Sequence, residues 1–327
     1  MAKKETAKAV DLKDVLAEIE KEYGEGTISK GRENLGPIDV IPFSIPSMNR
    51  ISGIGGIARG RITEFHGMDG TYKSTLAFDL IRSCQEMGGT AILVDAEYAY
   101  SEEYAASCGV DIDELIVVHT ESAEKTFTIM EKLVATKKAD LIVVDSIAAL
   151  SPETELENEF GKSNIGVMAR LMGQMFRKVV ATVGKTNTAL VFINQLREQL
   201  GGYVPMKTTP GGNALRFYAS MRFEINKTQI KDGTDIKGVT LKVRCVKNKL
   251  GIPYLTTELE SIYGKGIDIQ KDLITECAEA NIIKKGGAGW FELSEGVKLQ
   301  GLDNVKQFLI DNPEFEEELK EKLYGQK

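Results

Sequence analysis

With 327 residues, 42% hydrophobic and 27% charged, the chain has ordinary globular composition and is about twice the usual domain length, so one large domain with appendages or two domains are expected. Four scattered cysteines and two histidines, His66 and His119, neither near a cysteine, exclude a disulfide framework and make a zinc centre or a histidine-based nucleophile improbable. No apolar run approaches the roughly 18 residues of a membrane span, and a net charge of −7 argues against indiscriminate nucleic-acid binding while leaving a local basic groove open; a cytoplasmic protein with no membrane partner is expected.

Leu12, Val15, Leu16, Ile19 and Tyr23 recur at helical spacing, and Gly24 ends the run, so an amphipathic helix is predicted at the N-terminus. An irregular stretch with Gly31, Gly36, Pro37, Pro42 and Pro46 follows. The helix therefore either packs on its own chain or docks on a neighbouring subunit.

From Arg61 to Thr75 the order is a short strand, a glycine-containing loop and a helix start bearing Lys-Ser, as in a phosphate-binding loop. Gly67, Met68, Asp69, Gly70, Thr71, Tyr72, Lys73, Ser74 and Thr75 would form the cradle. Backbone N–H groups and a helix N-terminus would face phosphate oxygens, Lys73 the outer phosphates, and the Ser74 hydroxyl a Mg2+ ion. The usual spacing is broken at Tyr72, which places a Cβ where glycine lets the backbone approach phosphate.

Beyond the loop lie the apolar runs Ala91-Ile92-Leu93-Val94, Ile116-Val117-Val118, Leu141-Ile142-Val143-Val144 and Leu190-Val191-Phe192-Ile193, with helical stretches between them. This pattern predicts an α/β fold with a mostly parallel sheet covered on both faces. Val167, Met168, Leu171, Met172, Met175 and Val179 read as a helix face packed on it. Three strands end in polar groups at one sheet edge: Asp95-Ala96-Glu97, Asp145 and Asn194-Gln195. There Asp145 could hold magnesium opposite Ser74, Glu97 could polarise a water, and Gln195 could sense the outermost phosphate of ATP.

After about residue 215 the pattern turns antiparallel, with Met221 to Asn226 and Val239 to Val246 joined by a turn at Lys231 to Gly233. Between Arg216 and Lys249 basic residues outnumber acidic ones, which suits a contact with DNA or ATP as well as a solvated sheet face. A small α+β segment then has a helix over Asp272 to Ala280, a turn at Gly286-Gly287, a strand at Trp290 to Leu293, and an acidic helix after Pro313.

The segments Val143-Val144-Asp145-Ser146-Ile147-Ala148-Ala149-Leu150, Phe192-Ile193-Asn194-Gln195-Leu196-Arg197, Gly211-Gly212-Asn213-Ala214-Leu215-Arg216-Phe217 and Val246-Lys247-Asn248-Lys249 resemble the bacterial RecA recombinase family, collinearly over essentially the whole chain. An aromatic at Tyr72 is similar to certain bacteriophage members. The resemblance implies a RecA-type P-loop ATPase core extended by antiparallel strands, with an N-terminal helix and a small C-terminal α+β lobe, divided as 1–35, 36–268 and 269–327. It implies a DNA-dependent ATPase, using ATP and Mg2+, that forms a helical homo-oligomeric filament on single-stranded DNA and exchanges it with homologous duplex DNA in recombination and repair.

By the same resemblance Glu97 is the catalytic carboxylate, Lys73 serves the phosphates, Gln195 links ATP state to the DNA-binding loop, Tyr104 lies against adenine, and Tyr263 contacts nucleotide near a subunit interface. Lys247 and Lys249 reach the ATP of the adjacent subunit, and Phe217 is an interface aromatic. Loops near 155–166 and 196–212 are DNA-binding, with Arg170 and Arg197 on phosphate, Ile165 and Leu200 between base triplets, and Gly211, Gly212 and Asn213 at the end of the second loop. A hexameric helicase on the same core, or a non-hydrolysing DNA-binding paralogue, are the alternatives.

Overall fold

A computed structural model describes residues 11–24, 27–28, 38–158, 166–199, 206–264 and 266–325, in two units, Met1–Ile38 and Asp39–Lys327. In the first, α1 (Leu12–Tyr23) starts where the Asp11 carboxylate accepts the Lys13 N–H and stops at Gly24, as the spacing predicts. None of its residues is buried, and Val15 and Ile19 of its apolar stripe are half-buried.

The second unit begins with β1 (Val40–Ile41) and β2 (Ile57–Ala58), which pair antiparallel and flank α2 (Pro46–Ser52). An alternation follows: β3 (Ile62–Gly67), α3 (Lys73–Glu86), β4 (Ala91–Asp95), α4 (Glu102–Ser107), β5 (Ile116–His119), α5 (Ala123–Ala135), β6 (Leu141–Asp145), α6 (Glu153–Leu156), α7 (Val167–Thr186) and β7 (Ala189–Gln195). A ribbon of β8 (Arg197–Gln199) and β9 (Met206–Thr208) and the short α8 (Ala214–Tyr218) lead to β10 (Met221–Asp232), β11 (Asp235–Asn248), β12 (Thr256–Ile262) and β13 (Gly266–Ile267). The chain ends with α9 (Ile269–Glu279), β14 (Lys284–Lys285), β15 (Trp290–Ser294), β16 (Val297–Gln300), α10 (Leu302–Asp311) and α11 (Pro313–Gly325).

One sheet organises this unit, in the order β13-β12-β11-β10-β3-β7-β6-β4-β5. From β10 to β5 neighbouring strands are parallel, and β11, β12 and β13 extend the sheet antiparallel. The apolar runs are continuous because both faces are covered. Leu93, Val143, Val191 and Ile193 enter one buried cluster with Leu76 and Leu80 of α3, whereas Ile92, Val94, Ile142, Val144 and Phe192 enter another with Phe127 of α5 and Met172, Met175 and Phe176 of α7. Alternate side chains thus serve opposite layers.

The C-terminal lobe has its own core of Leu273, Ile274, Cys277, Ile283, Leu293, Val305, Leu309 and Leu319. It is fastened to α2: the Ser47 N–H donates to Asp272 at 2.9 Å, and Arg50 pairs with Glu276 at 2.7 Å. One sequence expectation is corrected here, and one helix is found that the sequence reading lacked. The β10–β11 hairpin is longer than its apolar runs and turns at Gly233-Thr234, with Asp232 paired to Asp235, because its distal part is a solvated two-stranded ribbon held by backbone pairing. α10 was not expected, since Gly301 before it offers no side-chain cap.

Candidate nucleotide site

Register brings the polar strand ends together. Gly67 lies beside Gln195 on one flank and Ile225 on the other, and Asp95 lies beside Asp145. All are at the C-terminal edge of the parallel strands, where an open α/β sheet leaves a crevice.

The loop begins at Gly67, where a Cβ would stand 2.3 Å from the Ile225 carbonyl oxygen, so glycine is needed for the approach of β10. The loop then closes on itself. Thr71 Oγ1 donates to the Met68 carbonyl at 2.8 Å, Lys73 Nζ donates to the same carbonyl at 2.8 Å, and the Asp69 carboxylate accepts the Gly70 N–H at 2.8 Å. Burial holds Lys73 below the usual lysine range, against the opposing pull of Asp145, Asp69 and Glu97. Tyr72 takes a left-handed conformation, φ 61° and ψ 26°, at the start of α3. For a bulky residue this costs on the order of 1 kcal/mol, and the partly buried ring packs on the core beside the loop.

Ser74 Oγ donates to Asp145 Oδ2 at 2.6 Å. Burial first, then the neighbouring Glu97 charge, push Asp145 up to about 6, while the Ser74 hydrogen bond opposes the rise. A hydroxyl and a desolvated carboxylate are oxygen donors of the kind a hard divalent cation takes, so this pair fits magnesium. Glu97 Oε1 accepts from Ser146 Oγ and, at 3.2 Å, from Gln195 Nε2. Three strand ends therefore converge through Glu97 and Asp145. Burial and the charges of Arg222 and Lys73 push His66 down to about 3, which keeps its imidazole neutral and weakly basic.

Beside the loop, Tyr104 on α4 shares a 2.6 Å hydrogen bond with Thr75 Oγ1 and meets the Phe78 ring edge-on at 5.9 Å. Tyr72, Thr75 and Tyr104 line both the loop crevice and an adjoining cavity of 610 Å³ that Tyr263 also borders. Tyr263, just past the end of β12, and Tyr104 thus line one cavity.

Lys247 and Lys249 gather elsewhere, at the end of α8. Lys247 Nζ donates to the Arg216 and Phe217 carbonyls at 2.6 and 3.0 Å, and Lys249 Nζ to Phe217 at 3.2 Å. Desolvation, with Lys249 next, pushes Lys247 down to about 8. Phe217 is 68% exposed.

Of the residues expected to meet DNA, Arg170 is exposed in the first turn of α7, and Arg197 reaches the Ala148 carbonyl at 3.5 Å. Gly211 and Gly212 have φ of 85° and 72°, and a Cβ on Gly212 would stand 2.6 Å from that of Ala169. Asn213 is exposed just before α8. Ile165 and Leu200 lie outside the described residues.

Sequence reasoning missed the support behind this edge. Glu64, fully buried in β3, pairs with Arg222 of β10 and accepts from Asn194 Nδ2 at 3.2 Å, while Asn194 also donates to the Pro210 carbonyl at 3.3 Å. The network ties β3, β7 and β10 to the end of the second loop. A carboxylate inside the apolar strand Ile62-Thr63-Glu64-Phe65 was the available signal. Ser146, the other partner of Glu97, carried none.

The model of the RecA N-terminal domain matches residues 10–268, and that of the RecA C-terminal domain matches residues 271–326. Among curated proteins, the Protein RecA of Bacteroides thetaiotaomicron is 42% identical, covering 98% of this chain and 97% of its own length. That of Thermus aquaticus is 42% identical over 98% and 95%, and that of Paenarthrobacter aurescens 41% over 95% and 92%.

Proposed function

The chain belongs to the RecA family and shares its recombinase function, and from that premise we propose how its residues carry it out. ATP binds in the loop Gly67–Thr75 with its base toward Tyr104 and Tyr263; Lys73 moves from the Met68 carbonyl onto the outer phosphates. Ser74 and Asp145 would hold Mg2+, which would supply neutralisation of charge on the phosphate oxygens. Glu97 orients a water and takes its proton as the water oxygen bonds to the γ-phosphorus. The bond from that phosphorus to the bridging oxygen breaks, leaving ADP and phosphate.

Gln195 couples this chemistry to DNA. Its amide donates to Glu97, and the chain continues from it into β8 and the second loop. A γ-phosphate that draws the amide away from Glu97 would shift the root of that loop and leave the carboxylate free for water. We assign residues 1–35 to docking on a neighbouring subunit, 36–268 to the ATPase core and 269–327 to the C-terminal lobe. Lys247 and Lys249, with Phe217 beside them, would face the ATP of the next subunit in a filament on single-stranded DNA.

The observation that carries the reading is the junction of Glu97, Gln195 and Ser146 beside the Ser74–Asp145 pair. Its test is phosphate release with and without single-stranded DNA. Stimulation by DNA is expected in the native chain, and Glu97→Gln, which keeps a polar side chain but cannot accept the proton, should slow turnover about 100-fold or more while retaining ATP-dependent DNA binding. A native chain that releases no phosphate would leave the non-hydrolysing paralogue as the better description, and displacement of a duplexed strand without homology would favour the helicase.

A further inference from the structure

A second lysine touches the phosphate loop from outside the motif. β10 pairs with β3 through Ile225, which lies opposite Gly67. Where β3 ends and the loop bends away, β10 continues into the exposed ribbon. Two residues beyond Ile225, Lys227 Nζ donates to the Gly70 carbonyl at 2.7 Å. A Cβ on Gly70 would stand 2.7 Å from that ammonium, so glycine there serves the approach of the lysine as well as the φ of 63°.

We propose that Lys227 is a positioning residue for nucleotide binding, one that holds the Gly70–Thr71 peptide in the orientation the phosphates require. The peptide unit is planar and trans, so its C=O and N–H point in opposite directions. Drawing the Gly70 oxygen toward Lys227 of β10 turns the Thr71 N–H the other way, away from β10. Thr71 is fastened a second time by its hydroxyl on the Met68 carbonyl. The two lysines therefore hold the loop by two nearby carbonyls, Lys73 at Met68 and Lys227 at Gly70. The Lys227 charge also bears on Lys73, contributing to its lowered position, which places both cations within electrostatic reach of one crevice. Loop conformation is thereby joined to the β10–β11 ribbon, an element that adjoins the nucleotide motif only in three dimensions.

The inference rests on the nucleotide reading above, and calorimetry of the full chain with Mg2+ and a slowly hydrolysed ATP analogue, without DNA, tests it apart from any role of the basic ribbon in DNA contact. Lys227→Met should weaken binding about fivefold, as expected for losing one exposed charge-assisted hydrogen bond, and Lys227→Arg should restore affinity to within about twofold. Both variants should melt with the native chain, because the side chain is exposed. In steady state with DNA, KM for ATP should rise in Lys227→Met with kcat little changed. Native-like affinity in Lys227→Met, or an arginine variant as weak as the methionine one, overturns the positioning role while leaving the nucleotide site standing. A native chain that binds no analogue overturns both.

Discussion

At the scale of single residues, the site depends on one carboxylate whose ionisation the fold controls. Asp145 is pushed up to about 6, chiefly by burial. Magnesium takes the carboxylate form, so protons and metal compete for this group. Between pH 7 and 8 the carboxylate is already ionised and Mg2+-dependent nucleotide binding should be flat; below about pH 6 it should weaken by roughly tenfold per pH unit. Calorimetric titration from pH 5 to 8 checks this. In Asp145→Asn the pH dependence should vanish and affinity should be low throughout; a native profile that is flat down to pH 5 would remove Asp145 from the metal site. Tyr72 illustrates a different limit of sequence reading. The departure from the glycine pattern is visible in the sequence, but that the residue takes the left-handed conformation and turns its ring to the neighbouring cavity depends on packing against the core.

At the scale of elements, α7 joins the sheet to α8. Phe176 is fully buried, meets Phe192 of β7 edge-on at 5.6 Å, and stacks on Tyr218 of α8 at 5.2 Å. Phe176→Ala should destabilise the chain by about 3–5 kcal/mol through lost burial and the cavity left behind, seen as a lower midpoint in urea. The loss should also loosen α8, on which Phe217 sits and whose carbonyls receive Lys247 and Lys249, so turnover on DNA should fall even where the variant remains folded. A midpoint within about 1 kcal/mol of native would mean the site collapses without loss. The helical periodicity of Met168, Met172, Met175 and Val179 made this face legible in the sequence. α10 was not legible, although Leu302, Val305, Phe308 and Leu309 have helical spacing, because ten residues without a capping side chain give periodicity little to act on.

At the scale of the whole molecule, Glu97 bonds Ser146 and Gln195 while the lysine pair sits on the α8 carbonyls, and in the proposed filament they would meet across two chains. If one subunit supplies Glu97 and the next supplies Lys249, the variants Glu97→Gln and Lys249→Ala are each defective alone for different reasons. Mixed one to one on single-stranded DNA, about a quarter of the seams should pair an intact Glu97 with an intact Lys249 in a head-to-tail assembly. Phosphate release by the mixture should therefore exceed that of either variant. A mixture no faster than the mean of its components would place both groups in service of one chain's own site.

The sequence by itself determined the kinds of element and the chemistry at their ends. Continuous apolar runs require a sheet covered on both faces, and Gly67, Lys73, Ser74, Glu97, Asp145 and Gln195 are recognisable because strand ends and a helix start are local features of the chain. Their gathering at one sheet edge was legible too, but tertiary structure decided most of the pairwise contacts. Gln195 meets Glu97 across 98 positions of sequence, Glu64 meets Arg222 across 158, and Lys227 meets Gly70 across 157. Those contacts follow from strand order and register, which are set by how two layers of helices pack on one sheet, and periodicity along a single strand carries no record of the strand beside it.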